Sequence, residues 1–442
     1  MYLIGNGRLL TRDPELPYIE NGGVVTDGEL IVEIGETDAL AEKYPEAEFI
    51  DASHGVIMPG LINAHTHCCR ALAKGLNIPY YNPTEFYEIL NGVWWRIDRN
   101  LTLHMDRMSA YATIIDSIKN GVTTLFDHHA SNFQPCGSLM TIASVVRSCG
   151  IRACLCYETS DREGKEKCDE AISENLEFFE YANSLNSNYI KASFGLHASF
   201  TLSNRTLQKC VSKNNGRMGF HIHVSEGVYD LCDSIQKYGV RPIRRLNDMG
   251  ILGSKTLLVH CTNVNDGEIE LIKSTDSMVI NNPQSNMLNA VGCAPIRQMH
   301  RNGITLGLGT DAVTSDMLES LKASLAIQRH DTKLPNAGFD EATSMLFDGN
   351  RRIASRFFNT ELGILKAGAA ADIIVMDYIP YTPFSEVNAD EHIMFGMSGK
   401  QCILNMIGGK LLMRDRKLLF VDEESMNKEI CKAASELWNK LK

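Results

Sequence analysis

Two hydrophobic rhythms divide the chain. Over residues 1–57, short apolar runs alternate with turn residues at Asn6-Gly7, Asn21-Gly22-Gly23, Asp27-Gly28 and Gly35. This is the punctuation of β-strands. From about residue 58, short apolar runs instead alternate with longer amphipathic stretches, the rhythm of βα units. The spacing predicts strands over 56–63, 123–127, 153–157, 190–196, 218–224, 256–260, 277–281 and 304–309. Eight such units, each followed by room for a helix, predict a closed (β/α)8 barrel. Strand patterns return at 373–376 and 403–412, the latter broken by a turn at Gly408-Gly409, and a helical pattern covers 423–442. The predicted architecture is α/β: a (β/α)8 TIM barrel over 58–362, and a small discontinuous β-sandwich domain from 1–57 plus 363–442 that carries the C-terminal helix.

Composition narrows what such a barrel does. The 442 residues are 44% hydrophobic and 22% charged, a globular balance. The formal net charge of −11 repels phosphate backbones and acidic lipid, so neither nucleic acid nor membrane is expected as a partner. No apolar run reaches the roughly 18 residues of a membrane span. The opening MYLIGNGRLLTRDPE lacks the charged and apolar regions of a signal peptide, so a cytoplasmic location is expected. The 13 cysteines are odd in number and form no CxxC pair, which favours reduced thiols over a disulfide framework or a cysteine-rich zinc module. The H-x-E…P-C-x-x-C pattern of cytidine-type deaminases is absent.

The chemistry lies at the strand ends. The first strand ends in His65-Thr66-His67, the fourth is followed by His197, and the fifth carries His221 and His223 and leads to Glu226. The sixth ends in His260, and the eighth leads to Asp311 within Gly-Leu-Gly-Thr-Asp-Ala. In a barrel these ends surround a single pocket. Side chains two apart on a strand face the same way, so His65 and His67 can share one ion. Neutral imidazole and carboxylate suit zinc or ferrous iron. Three histidines and one aspartate can hold one divalent metal and leave a position for water, whose pKa the ion lowers towards 7. Glu226, just past His223, is placed to take a proton from that water and give it to a leaving group. Each piece alone has an ordinary structural reading; their conjunction in barrel order does not. His221 sits one layer deeper and reads as a hydrogen-bonded core histidine. His128 and His129 follow the second strand, and one of the two must point away from the pocket. Trp94 and Trp95 either stack on a flat substrate ring or pack beneath the barrel mouth.

These motifs resemble the amidohydrolase superfamily. Val56-Ile-Met-Pro-Gly-Leu-Ile-Asn-Ala-His-Thr-His67 is similar to its opening strand, and Gly363-Ile-Leu-Lys-Ala-Gly-Ala-Ala-Ala-Asp-Ile-Ile-Val375 to the return into its small β-domain. Gly195-Leu-His-Ala-Ser-Phe-Thr201, His223-Val-Ser-Glu226 and Asn282-Pro-Gln-Ser-Asn286 resemble the branch of cytosine, guanine and adenosine-type deaminases and triazine chlorohydrolases. Trp94-Trp-Arg-Ile-Asp-Arg99, Asp127-His-His-Ala-Ser131 and Tyr157-Glu-Thr-Ser-Asp-Arg162 resemble SsnA-type aminohydrolases, which are associated with purine catabolism. The resemblance implies one metal ion, zinc before iron, held by His65, His67, His223 and Asp311. It implies Glu226 as general acid/base, His260 orienting water and stabilising the oxyanion, and Asp311 as a proton shuttle. It implies substrate contacts from His197, and from Asp98 at a position where nucleoside-type relatives carry Glu; an ion pair of Asp98 with Arg96 or Arg99 is the competing reading. Lys191 lies about six residues before His197, about 20 Å from the strand end, so it reads as structural and the site as mononuclear. The implied reaction is hydrolytic deamination of an amino-substituted heterocycle such as a purine or a purine-catabolic intermediate; a homodimer is implied as well. Ring amide or amidine hydrolysis, or chlorohydrolysis, uses the same site. A non-catalytic scaffold is the remaining alternative, and it predicts missing ligands.

Overall fold

The structure is a computed structural model and describes residues Met1–Leu441. Parallel strands Leu61–Thr66, Val122–His129, Arg152–Tyr157, Phe220–Val224, Leu257–His260, Met278–Asn281 and Leu306–Leu308 form the barrel, together with a fourth strand in two pieces, Ile190–Ala192 and Phe194–Ala198. They pair in sequence order. Bridges between Thr66 and Asp311 and between Thr159 and Leu196 link the two parallel sheets into one ring. Period-two alternation sorts the side chains. On the fifth strand Phe220, Ile222 and Val224 join the core between strands and helices, while His221 and His223 point inward at His128. Leu257, Val259, Met278, Ile280, Phe126 and Cys154 fill the barrel interior.

All eight expected strands are present, but the first differs in kind. The apolar run 56–63 is two strands in two sheets. Val56–Pro59 pairs with Tyr2–Leu10 and Ile373–Met376 in the second sheet, and Leu61–Thr66 opens the barrel. Gly60 separates them, and a Cβ there would lie 2.1 Å from Thr123 Cγ2, so only glycine allows this crossing. The barrel strand then runs on to Thr66, which places His65 within it.

The second sheet has nine strands. Its path is Lys417–Leu418, Lys410–Arg414, Cys402–Ile407, Ile373–Met376, Val56–Pro59, Tyr2–Leu10, Tyr18–Asp27 and Leu30–Glu36, with Glu48–Asp51 also on Tyr2–Leu10. Ile31 exchanges backbone hydrogen bonds with Gly368 and Ala369, each 2.9 Å, so the sheet curls round a core of its own. Alternation again assigns the faces: Ile57, Ile373 and Val375 enter that core, whereas Val56, Met58, Ile374 and Met376 pack on the barrel. The expected C-terminal helix runs Glu423–Leu441, with Lys442 outside the described residues. Its Ala433, Leu437 and Leu441 pack with Leu72, Ile97, Leu101 and Met105. No described helix is long and apolar enough to cross a membrane.

One buried ion pair ties sheet to barrel. Arg152, at the start of the third barrel strand, reaches Asp372 with two bonds, Nε–Oδ2 at 2.9 Å and Nη2–Oδ1 at 3.1 Å, and both residues are at most 2% exposed. The amide of Gly408 also donates to Asp372 Oδ1, at 2.7 Å. Removing one partner strands the other charge in the interior, whereas removing both does not. Asp372→Ala is therefore expected to cost about 3–5 kcal/mol in a urea or thermal melt, and the double variant Arg152→Met/Asp372→Leu to recover most of that loss. Equal losses in the two variants would contradict this account.

Candidate metal centre and active site

The strand ends bring the expected residues together. His65 lies in the first strand, His67 just beyond it, His223 in the fifth strand, His260 at the end of the sixth, and Asp311 three residues beyond the eighth. Several of the connecting positions adopt positive φ without being glycine: Ser225 at 51°, His260 at 74°, Cys261 at 51° and Asp311 at 55°. Such conformations are costly and persist only when neighbours hold them. For Asp311 the hold is visible. The amides of Thr310 and Asp311 both donate to the His65 carbonyl at 3.0 Å, and Thr66 Oγ1 donates to the Asp311 carbonyl at 3.1 Å.

The ring orientations are fixed from behind. His223 Nδ1–H donates to the His197 carbonyl at 2.9 Å, and His67 Nδ1–H donates to the His128 carbonyl. A carbonyl only accepts, so in both neutral rings Nε2 is left with its lone pair. His65 Nδ1 shares a 2.9 Å hydrogen bond with His221 Nε2. The three Nε2 atoms then face one region. His65 Nε2 and His223 Nε2 are 3.3 Å apart, as are His67 Nε2 and Asp311 Oδ1. Four ligands on a tetrahedron with bonds of about 2.0–2.1 Å have edges of about 3.3 Å. The spacing and the facing lone pairs therefore fit a divalent cation. His65, His67 and Asp311 form one compact candidate ligand group, and His65, His223 and His260 another. Burial pushes His65 and His223 well below the usual imidazole range and His67 down to about 4, so all three are in the neutral, ligating form. Burial alone would raise Asp311, but the His67 and His260 rings outweigh it and hold the carboxylate low.

Glu226 and His260 stand beside this group. His260 Nε2 lies 3.5 Å from Glu226 Oε2 and 3.6 Å from Asp311 Oδ2. Its Nδ1–H donates to Asn286 Oδ1 at 2.7 Å, which orients the ring. Burial, reinforced by the nearby Asp311 charge, pushes Glu226 well above the ordinary carboxylate range. Asn289 donates to Glu226 Oε1 at 3.4 Å, and Ser285 Oγ to Asp311 Oδ2 at 2.7 Å. These groups open onto a cavity of about 120 Å³, also walled by Arg70, Trp94, Trp95, Glu158, His197 and Phe200.

Several sequence expectations resolve differently from one another. His197, Trp94 and Trp95 line the cavity. Asp98 does not. It is fully buried, and Arg70 and Arg162 occupy its carboxylate, the latter at 3.3 Å. This corrects its expected substrate contact. The competing reading also had the wrong partners, since Arg96 reaches the Leu441 carbonyl and Arg99 pairs with Glu163. His221 lies below the ligands, behind His65. His128 supplies its carbonyl to His67, and its Nε2 donates to the His221 carbonyl at 3.1 Å. His129 turns away, towards Ser131 at 2.9 Å. Lys191 lies in the first piece of the fourth strand, before the break at Ser193. Glu158 and Arg70 were not singled out from the sequence, although a carboxylate directly after the third strand was a readable signal.

The profile of the amidohydrolase family matches residues 56–412, and that of a bacterial imidazolonepropionase-like composite domain matches residues 22–47. The chain is 31% identical over 443 residues to a 5'-deoxyadenosine deaminase of Methanosarcina barkeri, covering 98% of both chains. It is 29% identical over 431 residues to a 5-methylthioadenosine/S-adenosylhomocysteine deaminase of Carboxydothermus hydrogenoformans, covering 95% of this chain and 94% of that one. In fold it is similar to a zinc-bound adenosine deaminase from Xanthomonas campestris, with a TM-score of 0.86 at 20% identity, covering 99% of this chain and 98% of the other. The chain therefore belongs to the amidohydrolase family.

Proposed function

We propose that the protein is a hydrolytic deaminase that removes ammonia from an amino-substituted heterocycle of purine type, with one zinc ion held by His65, His67, His223 and Asp311. The observation that carries this is two facing donor pairs, His65 Nε2 to His223 Nε2 and His67 Nε2 to Asp311 Oδ1, each at the 3.3 Å edge length of a tetrahedral site, directly beside the Glu226–His260 pair, at 3.5 Å. The relatives named as deaminases of 5'-deoxyadenosine and of methylthioadenosine and S-adenosylhomocysteine support a purine-type amine as the bond attacked.

A divalent ion in that site supplies Lewis-acid activation of water. The protein's own residues do the rest. Glu226, raised by burial well above the ordinary carboxylate range, accepts the proton of the attacking water at Oε2 and delivers it to the departing amine. His260, with Nδ1–H anchored on Asn286, presents Nε2 between Glu226 and Asp311 and steadies the oxygen that joins the ring carbon. Asp311 Oδ2, bonded by Ser285, passes the second proton. His197 and Trp95 contact the substrate ring.

Two outcomes check this reading. Elemental analysis is expected to find one ion per chain in the wild type and in Glu226→Gln, but far less in His223→Ala. Steady-state ammonia release is expected to fall about 10²–10⁴-fold in Glu226→Gln at unchanged metal content. Undiminished turnover in that variant would remove Glu226 from the mechanism. Chelation is expected to abolish activity and added zinc to restore it; ring-opened products without ammonia would move the reaction to another class.

A further inference from the structure

The deamination reading leaves one buried charge on the cavity wall without a task. Glu158 is 1% exposed and directly follows the third barrel strand. It lines the same cavity as Glu226 and His260. Neither of its carboxylate oxygens has a hydrogen-bond donor. Its neighbours stand off. His67 Nδ1 and His128 Nδ1 are each 3.4 Å from Oε1, and His197 Nε2 and Arg162 Nη2 are each 3.6 Å from Oε2. Charge-assisted hydrogen bonds are about 2.7–2.9 Å long, so these contacts leave the acceptors unsatisfied. His67 Nδ1–H is in any case already given to the His128 carbonyl. A buried, accept-only group of this kind calls for a donor from outside the chain.

Donors sit on the same wall. Arg70 lines the cavity; its Nη1 serves the Trp94 carbonyl at 3.2 Å and Asp98, and Asp98 in turn holds Arg162. The indole Nε1–H of Trp95 is buried with no acceptor. The cavity lining thus offers one unsatisfied acceptor and unsatisfied donor capacity, together with the flat rings of Trp94 and Trp95. At about 120 Å³ the cavity lies well below the roughly 300–1,000 Å³ of drug-sized ligand sites, which suits a bare ring better than a ring with its sugar.

We propose that this wall reads a lactam edge: Glu158 accepts a ring N–H of the bound heterocycle, while Arg70 and Trp95 donate to the adjacent ring carbonyl. The inference rests on the deaminase reading for the pole where the amine lies, and it names the substrate class as an amino-oxo heterocycle. The pyrimidine edge of a 6-aminopurine offers ring acceptors and no lactam N–H, so a ring docked by that edge would leave Glu158 unpaired. Sites built to hydrogen-bond a substrate N–H discriminate strongly against analogues that lack it.

The test compares guanine and cytosine with partners that lack the lactam, 2-aminopurine and 4-aminopyrimidine, on zinc-loaded full-length protein. Ammonia release is followed in the wild type and in Glu158→Gln. Binding is followed by calorimetry in the Glu226→Gln background, with and without Glu158→Gln. A lactam compound is expected to bind and turn over at least about 100-fold better than its partner. Glu158→Gln is expected to lower kcat/KM for the lactam compound about 100-fold, mainly through KM, and to change the partner less than about threefold, at constant metal content. N1-methylguanine on the unsubstituted site asks the same question without altering Glu158, and is expected to bind about 100-fold more weakly than guanine. Equal losses for both members of a pair, no preference in the wild type, or no binding by any of the compounds would overturn the proposal. Selective binding without ammonia release would retain it and overturn the deaminase reading; ammonia release with preferences untouched by Glu158→Gln would do the reverse.

Discussion

Two imidazole nitrogens, His65 Nε2 and His223 Nε2, face each other at 3.3 Å, and the site depends on what that contact requires. His223 has its only proton on the far side, given to the His197 carbonyl, and burial keeps both rings neutral. A cation between them would meet a ring nitrogen from each side. Barrel closure enforces the arrangement. The first and eighth strands are joined through the His65 carbonyl, which accepts from the amides of Thr310 and Asp311, so two ligands from opposite ends of the chain are placed by one pair of backbone bonds. The positive φ of Asp311 follows from that closure.

The aim of the ligands is set by backbone more than by side chains. His67 is oriented by the carbonyl of His128, and His223 by the carbonyl of His197. These carbonyls project from the ends of the second and fourth strands, so the neighbouring strand fixes each tautomer whatever side chain it carries at that point. The His197 ring takes no part in this: its Nδ1 shares a 2.9 Å hydrogen bond with Thr201 Oγ1, and its Nε2 lies 3.6 Å from Glu158 on the cavity wall.

The parts of this site that depend on strand period and barrel order were readable in the sequence. His65, His67, His223, Glu226, His260 and Asp311 are all strand-end residues, and the barrel brings strand ends together whatever the sequence distance. The break between Val56–Pro59 and Leu61–Thr66 was hidden because the apolar run continues unbroken across Gly60; only a neighbouring strand, through Thr123, shows why a glycine stands there. Asp98 was misplaced for a related reason. Its partners Arg70 and Arg162 lie 28 and 64 residues away, and local spacing suggested the nearer Arg96 and Arg99. Glu158 sits among Thr159, Ser160 and Asp161, a polar surrounding that reads as a solvated loop, although its side chain is 1% exposed. Non-local charge pairing is thus where the one-dimensional reading ran out.

The two ends of the cavity are supported by different parts of the molecule. The strand-end cluster of His65, His67, His223 and Asp311 stands on barrel strands and their closure. The wall with Arg70 in the turn Cys68–Ala73 and Trp94 and Trp95 in the helical run 86–98 rests on the C-terminal helix Glu423–Leu441. Trp438 Nε1 donates to the Leu72 carbonyl at 2.7 Å, and Arg96 to the Leu441 carbonyl. Ala433, Leu437 and Leu441 pack beneath Leu72, Ile97 and Leu101. The Asp98 carboxylate, although it never meets the cavity, holds Arg70 and Arg162 in register from behind. A substitution in the last helix can therefore move the wall of Arg70, Trp94 and Trp95 while the strand-end cluster stays in place. Such a division lets a fold keep its strand-end groups fixed while the surface facing them varies, because the two are held by different elements.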